Sequence, residues 1–186
     1  MQSTSTPGHG RLWAYAGLWL FFAYQYVQAL RFDPEEGTTF FINVLHFLQF
    51  GVHEISHLAV LLLPALLVAM AGSFGETAFT VLVVVAALRK KAYFWAVFGL
   101  FWVMLALRST GRYMADAEVQ ALPLLGPGDD PQHDWNVAFG ELGWLGASDA
   151  IGGVVSFLGA VVGLGGLLLG LAVICSLAIS LRKPAG

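Results

Sequence analysis

The sequence predicts an all-α, polytopic transmembrane helical bundle of about five spans, or six if the last one bends. Three observations predict it. Of 186 residues, 58% are hydrophobic and only 11% are charged, against roughly 25% charged in soluble domains. Mean hydropathy is +0.73. The apolar residues fall in runs close to the ~20 residues that a bilayer crossing needs, joined by short polar or basic connections. A chain built this way is a single integral membrane domain over residues 1–186. Its net charge of −3 gives no case for nucleic acid. The one cysteine, Cys175, lies in the last apolar run and can form no internal disulfide.

The elements follow in order. Residues 1–10 are polar and are expected to be disordered. Leu12–Leu30 is the first span, and its Trp13, Tyr15, Trp19, Tyr24 and Tyr26 suit membrane interfaces. Only Arg11 precedes the run and no small-x-small cleavage site follows it, so a retained helix is favoured over a signal peptide. Residues 31–37 form a polar turn, after which Thr38 can cap the next helix. The apolar stretch 39–88 is too long for one span. Pro64 and Gly72-Ser73-Phe74-Gly75 are its break points, giving helices at about 39–63 and 70–88, the second closed by Arg89-Lys90-Lys91. A fourth span runs from about Tyr93 to Leu107. Residues 113–149 break the pattern and are expected to form an extramembrane or re-entrant loop, with a turn cluster at Gly126–Pro131. The last run, Ile151–Leu181, carries Gly159-x-x-x-Gly163 and Gly166-x-x-x-Gly170. These allow close helix approach inside the chain or in a homodimer.

Basic residues cluster at Arg89-Lys90-Lys91 and Arg182-Lys183, which positive-inside reasoning assigns to the cytoplasm. Five alternating spans then put the N-terminus outside. His53 lies about fourteen residues into the second helix, roughly 21 Å along it, in the outer half of a ~30 Å core. Glu76, Asp116, His133 and Asp134 fall at the same membrane level.

That level matters because of His53-Glu54-Ile55-Ser56-His57. On a helix, His53 and His57 share one face, one turn apart. Two imidazoles so placed can hold a Zn²⁺, while Glu54 reaches a water on the metal and serves as its general base. The flanking Leu45, Phe47, Phe50, Val52, Leu58 and Val60 leave no solvated face, and ionisable groups at membrane depth are functional by default. The competing reading is a pair of neutral, hydrogen-bonded packing histidines. A hydrolytic zinc needs a third protein ligand. His133 and Asp116 lead, level with each other, ahead of Glu76 and Asp134. Asp134 suits an orienting role behind His133. His46, two turns before His53, is placed to line the site.

The motif in a membrane helix resembles that of the site-2 protease class of intramembrane zinc metallopeptidases. The chain is more similar to a group of bacterial polytopic membrane proteins with no established chemistry. Their HExxH helix is followed by a Gly-Ser-x-Gly-Gln element, a Tyr-x-x-Asp-Ala helix end and a His-Asp-Trp-Asn loop. Here these read Gly72-Ser73-Phe74-Gly75-Glu76, Tyr113-Met114-Ala115-Asp116-Ala117 and His133-Asp134-Trp135-Asn136, within residues 40–160. Glu76 replaces the Gln, and the Asp-Gly motif that carries the third ligand in site-2 proteases is absent. The resemblance implies a zinc metalloendopeptidase of the bacterial inner membrane, acting on peptide or membrane-protein substrates. Two other classes compete with it: a non-hydrolytic metal or haem protein, and a structural or assembly subunit of the membrane.

Overall fold

The computed structural model describes residues 7–31, 38–124 and 132–182, and among them the chain is all-helical, with no strand. The helices are α1 (Pro7–Arg31), α2 (Phe40–Ala59), α3 (Ala65–Arg89), α4 (Tyr93–Ala115), α5 (Asp134–Leu142) and α6 (Ser148–Arg182), with a 3-10 turn at Leu145–Ala147. Two helices, α3 and α4, and the stretch Leu145–Arg182 are long and apolar enough to cross a membrane. The turns expected within 32–37 and at Gly126–Pro131, together with Lys183 and residues 1–6, lie outside the described residues.

Several expected boundaries move. Pro7–Gly10, expected to be disordered, are the first turn of α1. Thr39, not Thr38, caps α2: its Oγ1 accepts the Ile42 N–H at 3.3 Å and donates to Gln25 Oε1 at 2.6 Å. The break after α2 falls at Val60–Pro64, and α3 starts at Ala65 rather than about 70. Pro64 has no N–H to lose at a helix start. Gly72-Ser73-Phe74-Gly75 therefore lies inside α3, where every backbone group keeps its helical partner and the glycines serve packing instead. Helix α4 continues to Ala115, so Arg108, Arg112 and Tyr113 are helical.

Helix α4 is the axis of the bundle, with Ala96, Val97, Met104, Leu105 and Ala106 almost fully buried. It packs antiparallel to α6 along the α6 glycines. Gly152 lies against Gly111 and Ala115, Gly159 and Gly163 against Met104, and Gly166 against Leu100. The glycine spacing read as a possible dimer face is thus filled from within the chain. Helix α1 covers the same seam. Trp19 Nε1 donates to the Leu167 carbonyl at 2.8 Å and Tyr26 Oη to that of Ala160 at 3.1 Å. Residues rise along α1 as they fall along α6, so α1 runs parallel to α4.

Helix α2 also runs parallel to α4. Phe41 packs on Phe101 with ring centroids 6.0 Å apart, and twelve residues later on both helices His53 faces Tyr113 at 6.4 Å. Strict alternation of five spans would have made α1 and α2 antiparallel, and the structure corrects this. An aromatic cluster of Phe21, Phe22, Phe41 and Phe101 fixes the start of α2 level with Phe22, nine residues short of the end of α1. The start of α1 and the end of α6 meet, Gly8 against Leu181. Arg11, Arg89, Lys90, Lys91 and Arg182 therefore gather at one end of the bundle. His53, Glu76, Tyr113 and α5 lie toward the other.

The α4–α6 seam gives a paired test. A Cβ at Gly152 would strike the Gly111 carbonyl and the Ala115 amide, both backbone, whereas one at neighbouring Gly153 meets nothing within 4 Å. Gly152→Val is expected to destabilise the bundle by about 1–3 kcal/mol or more, as overpacking does. Gly153→Val should be near neutral. Unfolding in detergent with increasing denaturant measures both, and equal effects would contradict the seam.

Candidate metal centre

Three side chains from two helices converge. His53 Nε2 lies 3.1 Å and His57 Nε2 3.2 Å from the same oxygen, Asp134 Oδ2. One ligand atom from each residue lies within 4.8 Å of the others. Zinc bonds of 2.0–2.2 Å in a tetrahedral site put ligand atoms roughly 3.3–3.5 Å apart, close to the two nitrogen–oxygen separations of 3.1 and 3.2 Å.

The outer nitrogens define what the inner ones can do. His57 Nδ1 lies 2.8 Å from the Val68 carbonyl, which only accepts, so Nδ1 carries the proton. In the neutral ring Nε2 is then a lone pair, and it faces a carboxylate that is also an acceptor. Only a cation or a further proton satisfies that pair. His53 Nδ1 faces Glu76 Oε2 at 3.7 Å, and Glu76 is 6% exposed. The other Glu76 oxygen accepts from Thr110 Oγ1 at 3.0 Å. Both imidazoles are thus oriented from behind by an acceptor, as metal-ligating histidines are. The two rings share one helix turn, 4.7 Å apart, and point to one spot, an arrangement that cannot supply ligands to opposite faces of a haem.

Glycine sets the reach between α2 and α3. A Cβ at Gly72 would collide with the His53 ring, and one at Gly75 with the Ser56 side chain. The Gly72–Glu76 element therefore lets α3 close on the HExxH turn and sets Glu76 behind His53.

The His133–Asn136 motif is an anchoring block. His133 caps α5: its Nδ1 accepts the Asn136 N–H at 3.2 Å, and its ring packs at a tilt against Tyr113 with centroids 4.1 Å apart. Burial holds the His133 imidazole below its ordinary pKa, favouring the neutral ring. Its Nε2 lies 3.3 Å from Asp116 Oδ2, off the line of a good hydrogen bond. Trp135 Nε1 donates to Ser73 Oγ at 3.1 Å, tying α5 to α3. Asn136 Nδ2 donates to the Ala117 carbonyl at 2.8 Å. Asp134 is left to face the histidines, its own N–H donated to Tyr113 Oη at 2.9 Å.

Of the sequence candidates, the structure brings together His53, His57 and Asp134, with Glu76 behind His53. His133 and Asp116, placed first as third ligand, pair with each other instead. Asp116 spends both oxygens on the Ala121 and Leu122 amides, at 2.8 and 3.1 Å. Val68 and Thr110 were not singled out by sequence, and Tyr113 entered only as the first residue of the Tyr-x-x-Asp-Ala helix end, without an orienting role. The signal for Asp134 was its place just after a helix-capping residue, where a cap folds back on its own helix and the next side chain is free to face elsewhere. Glu54 lines the cavity at the cluster, half-buried, and forms no hydrogen bond or ion pair among the described residues. No protein-family model, curated protein or solved structure matches this chain.

Zinc titration against a chromophoric chelator discriminates the ligand sets. Asp134→Ala should abolish tight binding, while Asp116→Asn should keep one zinc per chain. Glu76→Gln should weaken binding about 10–100-fold, the usual effect of removing an orienting partner. Gly72→Ala should lower affinity with unchanged helicity by circular dichroism. Full affinity in Asp134→Ala would remove it from the site.

Proposed function

We propose that the chain is a membrane-embedded zinc metallopeptidase that hydrolyses peptide bonds of membrane-associated substrates. One observation carries the reading: two imidazole Nε2 atoms and a carboxylate oxygen converge at 3.1 and 3.2 Å, beside the glutamate of an HExxH turn. Two nitrogens and one oxygen leave the fourth tetrahedral position open, the pattern of a catalytic zinc. When bound, zinc would polarise the substrate carbonyl and lower the pKa of a water there.

The remaining work falls to the chain's own residues. Glu54 follows His53 directly and lines the same cavity as the cluster. It accepts a proton from the attacking water and returns it to the leaving amide nitrogen. Val68 and Glu76 hold the imidazoles in the tautomer that turns Nε2 inward. Tyr113 Oη accepts from the Asp134 amide, and its own proton remains to be donated toward the substrate carbonyl oxygen. A cavity of about 790 Å³ contains the cluster. Its walls include Ile42, Phe47, Phe50 and Leu105, which favour an apolar chain and exclude bulk water. Phe47 is 76% exposed at its edge, open to lipid.

The membrane setting follows the charge pattern. With Arg11, Arg89, Lys90, Lys91 and Arg182 at one end, that end is cytoplasmic, and both described ends of the chain share it. Helix α1 then crosses with α3, α4 and α6. Helix α2, starting level with Phe22, enters from the middle of the bundle and carries the HExxH turn to the outer half. A multi-pass place in a bacterial inner membrane is the setting that the sequence resemblance implies.

Glu54→Gln is expected to keep one zinc per chain and to lose cleavage of a fluorescence-quenched peptide library by at least about 10²-fold, in the range of general-base contributions. Turnover at the wild-type rate in that variant would defeat the base assignment.

A further inference from the structure

A second cavity, of about 660 Å³, lies at the basic end of the bundle, away from the histidine cluster. It follows from where α2 begins. That helix starts level with Phe22, so below that level it does not cover α1 and α4. Tyr15, Leu18 and Phe22 of α1 form one wall, Phe94 and Phe98 of α4 another, and Phe41 closes the cavity at the first turn of α2. Leu18 and Trp95 on its rim are exposed, so it opens sideways, toward lipid.

Depth and charge both match one lipid molecule. Arg11 and Phe22 line the cavity eleven residues apart on α1, roughly 16 Å, about half of a ~30 Å hydrocarbon core. Arg11 and Lys91 stand at its basic end. The Arg11 guanidinium lies 5.2 Å from the centre of the Tyr15 ring. Its Nε and Nη2 donate to Tyr15 Oη at 3.1 and 3.0 Å, and Nη1 takes part in neither bond. Lys91 follows the C-cap of α3 in a Schellman turn. Its N–H donates to the Leu88 carbonyl and that of Ala92 to the Ala87 carbonyl, each at 2.9 Å. The Lys91 φ of 54° is left-handed, the conformation that favours glycine. Lysine works against that turn, which points to a use for its charge. Residues 1–31, 77–115 and 150–186 contain no aspartate or glutamate. The helices that meet at this end therefore bring no carboxylate to balance it.

Resting on the membrane setting proposed above, we propose that this cavity binds one anionic phospholipid of the cytoplasmic leaflet. Its phosphate lies between Arg11 and Lys91, and an acyl chain runs along α1 to Phe22 and Phe41. A guanidinium grips phosphate oxygens by paired hydrogen bonds, and an ammonium holds them as a point charge. That leaflet carries the anionic lipids. The lipid fills the volume that α2 leaves uncovered and joins α1 to α4 there.

The test starts from full-length protein in vesicles of equal parts phosphatidylglycerol and phosphatidylcholine with identical acyl chains. The protein is extracted in mild detergent and weighed intact by native mass spectrometry. One phosphatidylglycerol per chain is expected, preferred over phosphatidylcholine by about 25-fold, about fivefold for each basic group. Lys91→Gly should reduce that preference about fivefold. Its melting temperature in lipid-free detergent should stay level or rise, since glycine suits the turn. Arg11→Gln should reduce the preference by a similar factor. Lys90→Gln, which removes a charge at the same end but outside the cavity, should leave it unchanged. Four results overturn the site while the membrane setting stands: equal retention of both lipids, a loss as large in Lys90→Gln as in Lys91→Gly, displacement of the lipid by excess glycerol 3-phosphate, or a lipid-free dimer in place of the complex. Protein that fails to float with the vesicles overturns both.

Discussion

A carboxylate oxygen set against two imidazole nitrogens is the constraint on which the rest of the structure depends. Ionisable groups inside an apolar bundle are costly, and their mutual attraction offsets that cost only when geometry is good and the remaining hydrogen-bonding capacity is met. The imidazoles are met from outside, His57 by the Val68 carbonyl and His53 by Glu76 and through it Thr110, while Asp134 is fixed through its backbone N–H, donated to the Tyr113 hydroxyl. The convergence point keeps an unsatisfied demand, for a proton or a metal ion. Helix α5 is short, nine residues, and would be marginal alone. Its Trp135 bond to Ser73 and Asn136 bond to Ala117 hold Asp134 in position.

Two glycine seams make this possible by different means. Along α4 and α6, glycines bring backbones together and form a tightly packed pair on which α1 rests. Between α2 and α3, Gly72 and Gly75 admit side chains rather than backbone: the His53 ring and the Ser56 hydroxymethyl occupy the space that Cβ atoms would take. The first seam builds the scaffold, and the second places the histidine face of α2 against Val68 and Glu76.

Much of this was legible in the sequence. The all-helical class and the long apolar helices followed from composition and run length, and the His53–His57 face from helical periodicity alone. Boundaries depended on what the helices packed against. Gly72–Gly75 reads as a break because glycine is a weak helix former, but in a membrane interior leaving the helix would orphan backbone groups, so packing decided. Which side chain faces the two histidines depended on the local fold of residues 133–136: His133 caps α5 through Nδ1, and Asp116 accepts from the Ala121 and Leu122 amides, neither of which spacing reveals. The parallel course of α1 and α2 was illegible for a related reason. It arises from contacts among Phe21, Phe22, Phe41 and Phe101, distant in sequence, while alternation is only the default for short connections.

The separation of Asp134 from His53, 81 residues along the chain, has a consequence for biosynthesis. The two imidazoles and their orienting carbonyl are in place once the α2–α3 hairpin has formed, but the carboxylate arrives only after α4 has been laid down and α5 has folded back on α3. A growing chain thus has the two imidazoles for most of its synthesis without the carboxylate oxygen that faces them in the finished bundle. The three-residue convergence belongs to the finished bundle alone, so any ion that the cluster took up with all three side chains would report that α5 had docked on α3.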